Sequence, residues 1–149
     1  MRIRTHEGSS NIVTNKFPND PPDAGWKVSY TLEDGKIKVD NWQGQKQYDF
    51  VITQDGELII GSKHSYLADN KNVLAAGQLK IDNGGNLRNI INSSGHYQPT
   101  PAETLNFPEV FRDAGVKTKN AWLEGYEWIP DSSGTVVDFH KVYSVKIGE

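Results

Sequence analysis

The chain has no cysteine, which removes disulfides, thiolate metal ligands and a cysteine nucleophile together and leaves the redox compartment open. It has no apolar run near the roughly 20 residues that a membrane span requires, and its first residues lack the apolar centre of a signal peptide. A soluble domain is therefore expected, exported, if at all, as part of a larger secretion system. Positive charge is not concentrated: 16 lysines and arginines are scattered among 19 acidic residues, for a net charge of −3. Clustered cations are what hold phosphate backbones, so nucleic acid is disfavoured as a partner. Metal-ligand spacing is missing too, because the four histidines stand far apart and neither "DNKN" nor "DNGGN" fits an EF-hand loop. No metal or other cofactor is expected. There is no Gly-x-Ser-x-Gly elbow, and "SSG" at Ser93 and Ser132 reads as turn chemistry.

What is present suits one domain, since 149 residues can bury about two-thirds of their unfolded surface without a covalent staple. Residues 1–25 are polar, end in "NDPPDAG" and supply little to bury, which predicts a loosely attached N-terminal arm before a single globular domain over 26–149. Within the arm Arg2, Arg4 and His6 alternate as an edge strand would, but a solvated terminus explains them better.

From Trp26 the pattern turns to period two. Trp26, Val28, Tyr30 and Leu32 alternate with polar residues, Asp34-Gly35 supplies a tight turn, and "KIKVDNW" returns. "YDFVIT", Asp55-Gly56 and "ELIIG" make a second hairpin, and "VLAAGQLKI" through "DNGGN" to "LRNIIN" makes a third. Thr100, Pro101 and Glu103 form a capping box with proline at the first helical position, so a short helix starts there. Leu105, Phe107, Val110, Phe111 and Ala114 give it an apolar side, Pro108 interrupts it, and Gly115 ends it. "AWLEGYEWIP" and "TVVDFHKVYSVKI" return to strand patterning, with Val137, Phe139, Tyr143, Val145 and Ile147 in one phase. The fold class is α+β: mainly an antiparallel sheet or partly open barrel built from hairpins, with one short capped helix.

Three segments carry a resemblance: "KHSYLADNKNVLAAGQLKI", "NSSGHYQPT" and the helix with "FRDAGV". In order, His64, Ser65 and Leu67, then Ala75, Ala76 and Gly77, then Ser94, Gly95, His96, Tyr97, Pro99 and Thr100 resemble a known core domain. It is shared by plant IQ-motif calmodulin-binding proteins and C-terminal modules of bacterial polymorphic and secreted toxins. The similarity spans about residues 58–120, and departures occur at Tyr66, Asp69, Asn70 and Gln78. The chain has no IQ helix, so calmodulin binding does not follow. The resemblance implies a bacterial effector or toxin context and, with it, an immunity or inhibitor protein as a partner.

Sequential hairpins bring His64 and His96 to strand ends, with Ser65, Ser94 and Tyr97 nearby. Two imidazoles near neutral pKa are suited to metal-independent, RNase-like acid–base chemistry, with Tyr97 and Ser65 orienting substrate. The structural alternative is that each histidine bonds backbone at a corner and Tyr97 is a satisfied core tyrosine. An NAD-dependent ADP-ribosyltransferase or NAD glycohydrolase would need an acid such as Glu103, Glu124 or Glu127. A non-enzymatic module is the third reading, because Trp42, Trp122, Tyr126 and Trp128 are of the kind that protein and glycan interfaces recruit, although core positions would also use them.

Overall fold

Alternation in "YDFVIT" sends Tyr48, Phe50 and Ile52 to one side of their strand, and that side is the core. The computed structural model describes residues 12–149. Its elements are β1 (Trp26–Lys27), β2 (Tyr30–Glu33), β3 (Lys36–Val39), β4 (Gln47–Ile52), β5 (Leu58–Ser62), α1 (His64–Leu67), β6 (Ala75–Ile81), β7 (Leu87–Ile91), α2 (Pro101–Thr104), α3 (Phe107–Asp113), β8 (Trp122–Pro130) and β9 (Val136–Lys146). One open seven-stranded sheet runs β1-β5-β4-β6-β7-β8-β9, and β2-β3 is a separate hairpin. The expected antiparallel, sheet-dominated α+β fold is present, and the sheet does not close.

Each predicted hairpin forms, the third with a register shift between Lys80 and Ile81. Asp34 and Gly35 both take positive φ, 53° and 80°, as the tight turn between β2 and β3 requires. At the second turn only Gly56 does so, with the Thr53 carbonyl accepting its amide, and β4 pairs Phe50 with Ile60. Helix α3 lies over the core face of β4. Phe50 meets Phe111 and Phe107 edge-on at 4.9 and 6.3 Å, and all three rings are fully buried. Each such side chain stabilises the fold by about 1.5–3 kcal/mol of apolar burial.

The capped helix starts as its sequence dictates: Thr100 accepts the Glu103 amide at 3.0 Å, and Glu103 accepts the Thr100 amide at 2.9 Å. It then stops at Thr104 and restarts at Phe107, with Pro108 in the first turn, where no intrahelical N–H is needed. Gly115, at φ 95°, lets the Val116 amide reach the Phe111 carbonyl and closes α3. Since α2 and α3 carry the chain back across the sheet, β7 and β8 pair in parallel. A crossover helix returns the next strand in the same direction, the one departure from antiparallel pairing among the described residues.

Two stretches differ from their predicted phase. Trp26 and Leu32 are 57% and 36% exposed, because the run changes partner: Trp26 pairs with Ser62 in the large sheet while Leu32 pairs with Ile37 in the small one. On β9, Val137, Phe139 and Val145 are exposed and only Ile147 of the predicted phase is buried. Register shifts at Gly125/Tyr126 and Ile129/Pro130 interrupt the alternation, and β8 pairs with β7 only from Trp122 to Glu124. Beyond that point the β8–β9 ribbon has no third strand among the described residues.

Part of the predicted arm touches the domain. Val13 is 1% exposed and bridges to Val73, while Asn15 donates its amide to Asn72 Oδ1 and its carboxamide to the Asn70 carbonyl. One apolar plug flanked by asparagine contacts is enough to seat a polar segment. The alternation of Arg2, Arg4 and His6 lies outside the described residues. Among the described residues no helix is long and apolar enough to cross a membrane.

Candidate functional site

The site is built where β5 and β7 stop. After Ser62 the chain turns through Lys63, at φ 74°, and its amide donates to Asp49 Oδ2 at 2.9 Å. That turn starts α1 and sends the His64 ring back to β6, where Nε2 lies 2.7 Å from the Gly77 carbonyl oxygen. A carbonyl only accepts, so Nε2 carries the hydrogen and the neutral ring keeps its lone pair on Nδ1. Asp49 is fixed in turn by Gln78, whose carboxamide donates to Oδ1 at 3.2 Å and accepts from Gln47 at 2.9 Å. Burial pushes the His64 pKa below its ordinary value. The Asp49 carboxylate and the Gly77 bond oppose that shift, and the charge of His96 adds to it.

His96 sits in the loop between β7 and α2, and Asn92 holds that loop. The buried Asn92 carboxamide donates to the carbonyls of Pro99 and Tyr126, at 2.8 and 2.9 Å, and accepts the Tyr126 amide at 2.8 Å. The His96 carbonyl accepts the Lys16 amide at 2.7 Å, and its ring meets Phe17 edge-on at 5.7 Å. Its Nε2 is buried and has no hydrogen-bond partner among the described residues. Lys16 completes the surroundings, donating from Nζ to the carbonyls of Tyr97 and Thr14. Desolvation lowers its pKa, while Glu103 raises it.

Two members of the predicted set belong to the core. Tyr97 is fully buried, its hydroxyl donates to the Lys71 carbonyl at 2.6 Å, and burial pushes its pKa up to about 12. Ser65 is fully buried and accepts the Asp23 amide at 2.9 Å. Neither reaches a substrate, because ring and hydroxyl are sealed and their polar atoms are committed to backbone. Other motif residues are architectural as well. Ala75 and Ala76 are core residues, Ser94 accepts the Tyr97 amide, and Thr100 caps α2. Gly77 admits no side chain, since a Cβ there would stand 1.9 Å from the Ile91 oxygen.

Asp49, Gln78, Lys16 and Phe17 surround the histidines without having been expected there. Asp49 carries a faint signal, an acid on the polar side of an otherwise apolar strand. Lys16 and Phe17 carry none, being in the predicted arm.

The acids considered for NAD chemistry are differently placed. Glu103 is held by its cap, and Glu124 accepts from Asn89 at 2.7 Å and pairs with Lys141 at 3.1 Å. Glu127 is exposed on the ribbon. The aromatics lie mainly there too: Trp128 stacks on Phe139 at 5.2 Å, Tyr126 adjoins it at 5.1 Å, and Trp122 is 40% exposed. Comparison with protein-family models, curated proteins and solved structures finds no match to the chain.

Proposed function

We propose that the chain is an effector- or toxin-type domain that performs metal-independent acid–base chemistry, with His64 and His96 as the proton-transferring pair. The observation that carries this reading is the buried Nε2 of His96, which has no hydrogen-bond partner among the described residues, together with the lowered pKa of His64. Most other motif side chains have an architectural task, and buried polar atoms in folded proteins are otherwise nearly always satisfied. His64, held neutral with Nδ1 as its basic atom, takes a proton from the attacking hydroxyl. His96 in its protonated form returns one to the leaving oxygen. Burial, with the charge of a protonated His96 adding to it, disfavours an imidazolium at His64 and keeps that ring basic.

Expression in a bacterium tests the reading. Wild-type chain arrests growth and cleaves an RNA substrate without added metal, and His96→Ala, folded by circular dichroism, does neither. Arrest by both forms, or by neither, overturns it.

A second reading, a non-enzymatic binding module for a protein or glycan, is favoured by the ribbon, where Phe139 and Trp122 are 44% and 40% exposed. On that reading Phe139→Ser abolishes partner capture while His96→Ala does not.

A further inference from the structure

Away from the histidines, the turn of the first hairpin, the start of β7 and the segment before β8 enclose a cavity of about 330 Å³. Its lining is Gly35, Asn86, Leu87, Arg88, Lys117, Lys119 and Asn120, which supplies three cations and two carboxamides and no carboxylate. On a chain of net charge −3, that is a local inversion of sign. None of Arg88, Lys117 and Lys119 makes an ion pair among the described residues.

The fold presents these cations deliberately. Val116 and Thr118 are buried, so strand-like alternation turns Lys117 and Lys119 outward together. The Lys117 amide donates to the Gly35 carbonyl at 3.0 Å. A Cβ at Gly35 would stand 2.7 Å from the Lys117 Cβ, so only glycine lets the hairpin turn seat against this segment. Arg88 falls beside the register shift between β6 and β7, which leaves it outside the ladder. Asp82 feels the Arg88 charge, which helps hold its carboxyl below the usual range, but it makes no ion pair with Arg88 and does not line the cavity; its oxygens accept from the Gly84 amide and from both nitrogens of Asn86.

We propose that this cavity binds the phosphoryl groups of a small phosphorylated molecule. Two lysines and one guanidinium fit a doubly or triply charged oxyanion better than a carboxylate, since Arg supplies a bidentate fork and Lys a point charge. The ligand is a free phosphorylated metabolite or the diphosphate of a nucleotide, and Trp122 distinguishes them. It is 40% exposed, lies two residues after Asn120 and pairs in register with Asn89, next to Arg88. A base held by that indole would add stacking to the phosphoryl contacts.

Titrating the full chain with pyrophosphate and with ADP, followed by amide chemical shifts at low salt, tests the site. Both ligands move the amides of Arg88, Lys117 and Lys119, and added salt weakens the effect. In the R88Q/K119Q variant, with unchanged thermal midpoint, affinity falls by about tenfold or more, the loss of two charge-assisted contacts. Tighter binding of ADP than pyrophosphate, lost in Trp122→Ala, assigns a nucleotide; equal binding assigns the phosphoryl group alone. His96→Ala leaves the titration unchanged, so this site stands or falls separately from the histidine pair. Absence of shifts at millimolar pyrophosphate and ADP, or equal affinity in R88Q/K119Q, overturns the proposal.

Discussion

His64 donates its Nε2 hydrogen to the carbonyl of Gly77 at 2.7 Å, joining the turn after β5 to the interior of β6. Gly77 is where β6 passes closest to the end of β7, with the Ile91 oxygen 1.9 Å from the position a Cβ would occupy. The two motif residues therefore depend on each other: the glycine allows the close approach, and its carbonyl fixes the tautomer of the ring.

Gly77→Ala follows directly. The added methyl meets the backbone of Ile91 and Asn92 at the end of β7, which cannot withdraw without breaking ladder bonds to β6. Overpacking of this kind costs about 1–3 kcal/mol, so urea unfolding of G77A should show a lower midpoint. The wild-type midpoint would contradict the close approach.

The protonation of His64 gives a pH prediction. Its folded pKa lies below the ordinary value near 6.5, so between those two values the unfolded chain binds more protons than the folded one. Stability from this group is complete above the unfolded pKa and declines as pH falls toward the folded one. NMR titration should place the His64 midpoint below that of a denatured reference. Asp49→Asn, which removes the opposing carboxylate, should lower it further. A midpoint at the ordinary value, or a rise in D49N, would refute the assignment.

The hairpins and the helix cap were legible because local chemistry decides them. Asp34-Gly35 needs only its own two residues to define a turn, and Thr100, Pro101 and Glu103 define a helix start among themselves. The parallel pairing of β7 with β8 was not legible, since it depends on how α2 and α3 cross the sheet, and strand patterning has no sign for direction. Exposure on β9 was hidden for a related reason. Val137, Phe139 and Val145 look like a buried phase, yet burial requires a neighbour beyond the ribbon. The site was half legible. His64 and His96 stand out as histidines at strand ends, whereas Lys16 and Phe17 reach them from a segment whose polarity signals only solvent.

Tyr97 is a core residue, so Tyr97→Phe should act on stability and not on chemistry. Losing the hydroxyl leaves the Lys71 carbonyl without its donor, at about 1–3 kcal/mol for a buried unsatisfied acceptor. Any activity measured per folded molecule should match wild type. In the wild type the phenol should titrate only near pH 12, readable by ultraviolet absorbance; a normal midpoint near 10 would mean the ring is not sealed.

Asn92 offers the sharpest test of how the His96 loop is held, because its carboxamide uses both ends. The nitrogen serves two carbonyls, of Pro99 and Tyr126, and the oxygen serves the Tyr126 amide. Asn92→Ala strands three backbone groups and should cost about 3 kcal/mol, with faster hydrogen exchange over residues 93–98. Asn92→Asp separates the two ends: its carboxylate still accepts the Tyr126 amide, but it faces two carbonyl oxygens with no hydrogen to offer. Protonation restores one donor, so the folded state raises the pKa of the new acid above its unfolded value. N92D should accordingly gain stability relative to N92A as pH falls through that folded value, and lose it again as pH rises. A stability difference between the two variants that does not change from pH 4 to pH 8 would show that Asn92 does not bridge those carbonyls.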